Sequence, residues 1–187
     1  MSFSDIVNNL DMDLSKVSYL ELGSYKKHTF DRVRVSNKKC VDILPDFSPT
    51  FCMDTSSFFK INTDIYDIVF IDANHDLAHV VEDFNSSAKV CRKLIAIHDM
   101  YPPSKELTDT KFCSDSFKLL YHMFQNNFQF ITLDGDYGLT LVFPPFREVD
   151  MGKVENVSYE DFLLANIKTY SIDDIISITN RRFTAGA

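Results

Sequence analysis

A chain of 187 residues is one domain's length, enough to bury about 70% of its unfolded surface without a disulfide or metal staple. Its 45% hydrophobic and 25% charged residues exclude a disordered, collagen-like or low-complexity protein. A net charge of −8 argues against binding phosphate backbones, so no nucleic-acid partner is expected.

No run approaches about 18 apolar residues, so no membrane span is expected. Residues 1–10 carry Asp5, lack Lys and Arg and have no continuous apolar run, which is not the pattern of a secretory signal. Cys40, Cys52, Cys91 and Cys113 match no CxxC or zinc spacing and read as free thiols of a cytoplasmic protein.

Residues 17–22 (VSYLEL) are β-rich and stop at Gly23, which predicts a strand and a turn. Residues 39–44 (KCVDIL), closed by Pro45, predict a second strand, and 50–53 (TFCM) a weaker third. Residues 66–71 (YDIVFI) are apolar throughout after Asp67, as in strands buried on both faces of a parallel sheet. A helix follows, opened by Asn74 or Asp76, with Leu77, Val80, Val81, Phe84, Ala88 and Cys91 at helical spacing. Residues 93–97 (KLIAI) predict another buried strand, ending at His98 and Asp99. Beyond Pro102 and Pro103, residues 114–125 read as a helix with Phe117, Leu120, Tyr121 and Phe124 on one face. Residues 128–133 and 139–143, joined around Gly135 and Gly138, read as a hairpin. Ser158 with Asp161, and Ser171 with Asp174, resemble capping boxes and predict two short helices. These helices are expected to pack on the domain or on a partner, including a second copy of the chain.

Strands alternating with helices predict an α/β fold with a mostly parallel sheet and an antiparallel hairpin near one edge. Residues 1–146 are expected to form the main domain and 147–187 a helical extension. In such sheets ligands bind beyond the C-terminal strand ends, where the strand order switches. Polar residues gather at five of these ends. At the first, Gly23 lets the backbone turn sharply, Ser24 follows, and Glu21 can accept from an ammonium group. An ordinary strand-to-helix turn explains the same residues. Asp42 lies 21 residues after Glu21, where a nucleotide-like ligand's ribose hydroxyls would be accepted; a surface Asp before Pro45 is the alternative. Asp54, Thr55 and Ser56 can bond an adenine amine or cap a helix.

The fourth end is the sharpest. Asp72 and His75 stand three residues apart across a turn into a helix, so both can face one cavity. An imidazole, with an ordinary pKa near about 6.5, suits the removal of a hydroxyl proton at neutral pH. The alternative is that Asp72 caps the helix and His75 bonds the turn. At the fifth end Asp99 follows His98. Asp72 and Asp99 should end neighbouring strands, where two carboxylates can hold one Mg²⁺, or repel so that one pKa rises. His75 and His79 form an HxxxH pair without the glutamate of a zinc protease, and there is no GxSxG, P-loop or GxGxxG. Lys26, Lys27, His28, Arg32, Arg34, Lys38 and Lys39 form a basic cluster, either a solvated face or a dock for an anionic substrate.

Tyr19-Leu-Glu-Leu-Gly23, Cys40-Val-Asp42, Phe70-Ile-Asp-Ala-Asn-His75, Ile97-His-Asp99 and Leu133-Asp-Gly-Asp-Tyr-Gly138, in this order, resemble the class I S-adenosylmethionine-dependent methyltransferases. The nearest branch has D-x-x-H after the fourth strand and H-D after the fifth, and includes sugar and macrolide O-methyltransferases. The resemblance covers roughly residues 17–144 and implies a Rossmann-like methyltransferase fold. It further implies that Glu21, Gly23 and Ser24 line the methionine end of S-adenosylmethionine and that Asp42 accepts from the ribose. Asp54, Thr55 and Ser56 would sit near the adenine. Asp72 and Asp99 match metal-binding carboxylates, with Mg²⁺ as the implied ion, and Asp72 also borders the cofactor. His75 matches the general base, and a sugar or other small-molecule hydroxyl is the implied acceptor. Lys27 replaces the second glycine of the family's E-x-G-x-x-x-G turn, and Val90-Cys-Arg-Lys93 stands where glycines precede strand five. These departures keep open a second reading: a methyltransferase-fold binding module that has lost its chemistry.

Overall fold

Strand β4 (Tyr66–Ile71) is buried at every position, as its apolar run predicts. In the computed structural model, which describes residues 3–108 and 112–185, it lies between β1 (Ser18–Leu22) and β5 (Cys91–Ile97), parallel to both. β2 (Asn37–Asp42) and the two-residue β3 (Phe51–Cys52) continue the parallel sheet beyond β1. On the other side β7 (Thr140–Val142) runs antiparallel to β5 and to β6 (Phe130–Leu133). β8 (Thr169–Tyr170) adds a parallel edge to β6, so the order is β3-β2-β1-β4-β5-β7-β6-β8. The order switches between β1 and β4, which opens a crevice above their C-terminal ends.

Successive strand side chains point to opposite faces, which makes two cores. Leu20, Leu22, Val69, Ile71, Ile95 and Ile97 face a core covered by α3 (Thr55–Ile61), α4 (Leu77–Val90), α5 (Phe117–Gln125) and α6 (Tyr159–Leu164). Tyr19, Ile68, Phe70, Leu94 and Ala96 face a second, under α1 (Phe3–Asn8), α2 (His28–Arg32) and α7 (Ile172–Ala185). No helix of the described residues is long and apolar enough to cross a membrane, and all four cysteines are free.

Several boundaries differ from the sequence expectation. β2 stops at Asp42, because Asp42 accepts from the Leu44 amide and turns Ile43 and Leu44 out of the sheet. α5 starts at Phe117 and buries Leu119 and Met123, while Phe124 faces outward. α1 carries too short a pattern to stand out, yet it buries Phe3, Ile6 and Val7. Both serines cap as expected: the hydroxyls of Ser158 and Ser171 accept from the amides of Asp161 and Asp174 and donate to their carboxylates, which closes each pair through the hydroxyl rather than the serine backbone amide. α7 is 14 residues, longer than a short helix, and β8 is a strand the pattern did not announce. Val149, Tyr159, Phe162 and Ile167 enter the first core and Ile175 the second, so the tail packs on both faces of the sheet.

Candidate active site

Gly23, Asp42, Asp54, Thr55, Asp72 and His75 line one cavity of about 570 Å³ above the switch between β1 and β4. Tyr25, Ile43, Leu44, Met53 and Phe112 supply its apolar walls. That volume lies within the range of roughly 300–1,000 Å³ common for small-molecule sites.

Gly23 has φ +79, and a Cβ there would lie 2.1 Å from the Asp72 carbonyl oxygen and 2.5 Å from Ala73 Cα. The glycine is needed because the β1 turn packs on the β4 turn, which brings the two strand ends together. Lys27 keeps the left-handed backbone (φ 61) that a glycine would adopt freely. Its side chain leaves the cavity, with Nζ donating to the Ser48 carbonyl at 3.2 Å. Other members of the basic cluster are committed as well: Lys38 donates to the carbonyls of Phe30 and Val33, Lys39 pairs with Asp64, and Arg32 pairs with Asp5.

Asp42 is buried at the cavity wall, and its carboxylate accepts from the amides of Tyr25 and Leu44. Asp54 caps α3 through Ser57, and the Thr55 side chain bonds Asp83, whose burial raises its pKa to about 6. Glu21, Ser24 and Ser56 do not line the cavity. Strand alternation sends Glu21 to the same face as Tyr19, whose hydroxyl donates to its carboxylate. Burial there raises the Glu21 pKa to about 8. Ser24 is buried, with an unpartnered hydroxyl.

The chemistry gathers beyond β4 and β5. His75 Nε2 lies 3.2 Å from Asp99 Oδ2 and 3.8 Å from Asp72 Oδ1. Asp99 holds a left-handed backbone (φ 58), and its carbonyl accepts from the Ser116 hydroxyl at 2.6 Å. Burial raises its pKa, reinforced by Asp72 and Asp136 and opposed by His98 and His75. His98, the histidine of the H-D pair after β5, sits at the centre of the group. Its Nδ1 lies 3.2 Å from Asp72 Oδ1 and 3.1 Å from Asp99 Oδ1, off the line of a hydrogen bond, and its Nε2 lies 3.7 Å from Asp136 Oδ2. Burial disfavours the charged ring, but Asp136, Asp72 and Asp99 outweigh it and raise the pKa to about 11. Asp136 arrives on the β6–β7 turn, where Asp136 and Tyr137 are both left-handed and a Cβ on Gly138 would lie 2.1 Å from Tyr101 Cβ. Its signal in sequence was an acid between two turn glycines.

Asp72, His75 and Asp99 bring donor atoms within 4.8 Å of one another, close enough to share an ion. A hard cation such as Mg²⁺ takes oxygen ligands almost exclusively. Here one donor of three is an imidazole, and the space between the two carboxylates faces the His98 ring. Mg²⁺ is held in proteins by as few as one or two carboxylates with water completing its shell, so Asp72 and Asp99 are the residues that would hold it. His79 is on the surface, 3.2 Å from Asn74 Nδ2, and forms no HxxxH site with His75. A second cavity of about 530 Å³, between α5 and α6, includes Tyr121, Gln125, Asp161 and Leu164 and shares no residue with the first.

The sheet order and the switch-point cavity define the Rossmann-like methyltransferase fold. No family model matches the sequence, and no curated protein matches it. Solved structures match in fold. The O-methyltransferase TomG from Streptomyces achromogenes, involved in tomaymycin synthesis and solved with S-adenosylmethionine, is 14% identical at TM-score 0.50, covering 70% of this chain and 74% of its own. The MycE methyltransferase of the mycinamycin biosynthetic pathway, solved with Mg and S-adenosylhomocysteine, is 17% identical at TM-score 0.50, covering 88% of this chain. The match takes in 53% of MycE, so this chain spans about half that protein's length.

Proposed function

We propose that this chain is an S-adenosylmethionine-dependent methyltransferase that methylates a hydroxyl of a small molecule, with sugars the first acceptors to test. The observation that carries this reading is that Asp42 and His75 line one cavity at the switch of a methyltransferase-type sheet. Their strands are separated only by β1, about 10 Å across two strand spacings. TomG's being an O-methyltransferase supports an oxygen acceptor.

Asp42 accepts from the ribose hydroxyls, and the Gly23 turn borders the methionine end. Asp54 and Thr55, beside the apolar wall of Ile43 and Met53, take the adenine. Glu21 and Ser24 support the turn from behind. The bound cofactor supplies an activated methyl carbon. His75 removes the acceptor's hydroxyl proton through Nδ1, the ring nitrogen that does not face Asp99, while Asp99 holds the ring through Nε2. Asp72 and Asp99 orient the acceptor, directly or through Mg²⁺, which they would hold and which would lower the cost of the developing alkoxide.

Calorimetric titration of S-adenosylmethionine and S-adenosylhomocysteine, in Mg²⁺ and in EDTA, tests this. Binding in the micromolar range that EDTA leaves unchanged is expected. No heat in either buffer would sink the reading. The withdrawal of Glu21 from the cavity favours the second reading, a binding module without turnover. Binding followed by failure across a sugar and small-alcohol panel would establish that one instead.

A further inference from the structure

Three consecutive residues just before α5 bond three different parts of the catalytic end of the sheet. The Ser114 hydroxyl donates to Asp76 Oδ1 at 2.9 Å, beside His75 in the β4–α4 turn. Asp115 Oδ1 accepts from the Leu77 amide, the first of α4, at 2.7 Å. The Ser116 hydroxyl donates to the Asp99 carbonyl at 2.6 Å, just past β5, sharing its proton with the Cys113 carbonyl at 2.8 Å. Asp115 thereby supplies the cap that Asp76, at the head of α4, does not give through its own side chain. A cap usually stands next to its helix in sequence, whereas Asp115 reaches across 38 residues. The turn is built for these bonds. Ser114 adopts a left-handed φ of 50, which non-glycine residues rarely take, and both serines are buried. Lys118 pins the turn from outside, with Nζ donating to Asp115 Oδ2 at 3.2 Å and to Asn156 Oδ1 at 2.8 Å.

We propose that Ser114, Asp115 and Ser116 are positioning residues, one turn that sets where His75 stands against Asp99. The proposal rests on reading His75 and Asp99 as the acceptor-side groups, but its core statement, that this turn couples the ends of β4 and β5, can be tested without cofactor. The ladder fixes Ile71 beside Ile97, and both His75 and Asp99 lie beyond it. The sheet alone therefore does not hold the two side chains at 3.2 Å. The turn adds that hold, with two bonds to the β4–α4 segment and one to the segment after β5. Cutting a bond on one side should then loosen the segment on the other, because both sides share one short piece of chain. Phe112 lies two residues ahead of Ser114 in the cavity wall, so the wall and the groups that align the base form one connected unit.

Amide hydrogen exchange of the full chain, without cofactor, reads this coupling. In Asp115→Ala the Leu77 amide is expected to exchange about fivefold faster than in the wild type, through loss of one cap. The Met100 amide, which donates to the Gly138 carbonyl on the β5 side, is expected to speed by about twofold or more. Asp115→Asn, which caps a helix about as well as Asp, is expected to return both amides to wild-type rates. In Ser116→Ala the effect should run the other way, reaching Leu77 from the Asp99 side. The Phe58 amide of α3, on the cofactor side, should keep its rate in every variant. Release of Leu77 alone in Asp115→Ala would make Asp115 an ordinary cap and overturn the proposal, as would an equal rise at Phe58. Where Asp115→Ala does not fold, Ser116→Ala decides, and loss of the fold in both overturns it. With an acceptor from the sugar and small-alcohol panel, kcat of Asp115→Ala is expected to fall about tenfold while S-adenosylhomocysteine affinity stays within about twofold of wild type. An unchanged kcat would also overturn the proposal. Absent S-adenosylhomocysteine binding by the wild type would count against the methyltransferase reading and leave the exchange result standing.

Discussion

His75 Nε2 stands 3.2 Å from Asp99 Oδ2, although the two residues follow different strands. The contact exists because β4 and β5 are parallel neighbours with Ile71 beside Ile97, so the chain leaves the sheet at adjacent points. The pairing fixes the ring at the mouth of the cavity, where its other nitrogen can take a proton from an acceptor.

His75→Ala should therefore lower methyl transfer by roughly 10²–10⁴ while leaving cofactor affinity close to wild type. Steady-state turnover with a working acceptor, beside calorimetry, measures both. Wild-type turnover in the variant would remove His75 from the mechanism.

Gly23→Ala should destabilise the fold by about 2–4 kcal/mol, since it combines a left-handed φ with overlap against fixed backbone. Urea unfolding followed by circular dichroism measures the loss. A change below about 0.5 kcal/mol, the scale of ordinary surface substitutions, would show that the β1 and β4 turns separate easily.

Asp42→Asn should weaken S-adenosylhomocysteine binding by about tenfold, because a charged acceptor for two hydroxyls becomes a neutral one. Some stability should be lost with it, as Asp42 also accepts from the Tyr25 and Leu44 amides. Calorimetry and a thermal melt separate the two effects. Unchanged affinity would place the ribose elsewhere.

Glu21 ties stability to pH. Its folded pKa of about 8 lies above its ordinary 4.5, because burial disfavours the carboxylate. The folded protein therefore holds a proton that the unfolded chain has released. The stabilisation is complete below pH 4.5 and is lost as pH rises through about 8. Glu21→Gln cannot ionise, so its melting temperature should fall less than wild type's between pH 5 and 8. Parallel curves for the two proteins would show that Glu21 ionises freely in the fold.

β4 is legible from its letters alone, because an unbroken apolar run has one stable place, between two helical layers. The helix caps at Ser158 and Ser171 are equally local, each formed within a single turn. Asp72 and His75 are legible as a pair for the same reason: three residues of chain hold them together. Asp136 and His98 are 38 residues apart, and nothing in either segment says that they meet. Glu21 carried a motif that pointed to a ligand, but the alternation of β1 turned it toward Tyr19. The amino-acid sequence by itself determined which segments would be buried, and hence the α/β alternation and the acids at the strand ends. Only the tertiary structure decided which of those ends share a cavity and which acids surround His98. Burial periodicity is a local property of the chain, whereas these contacts depend on the order and register in which the crossovers return each strand to the sheet.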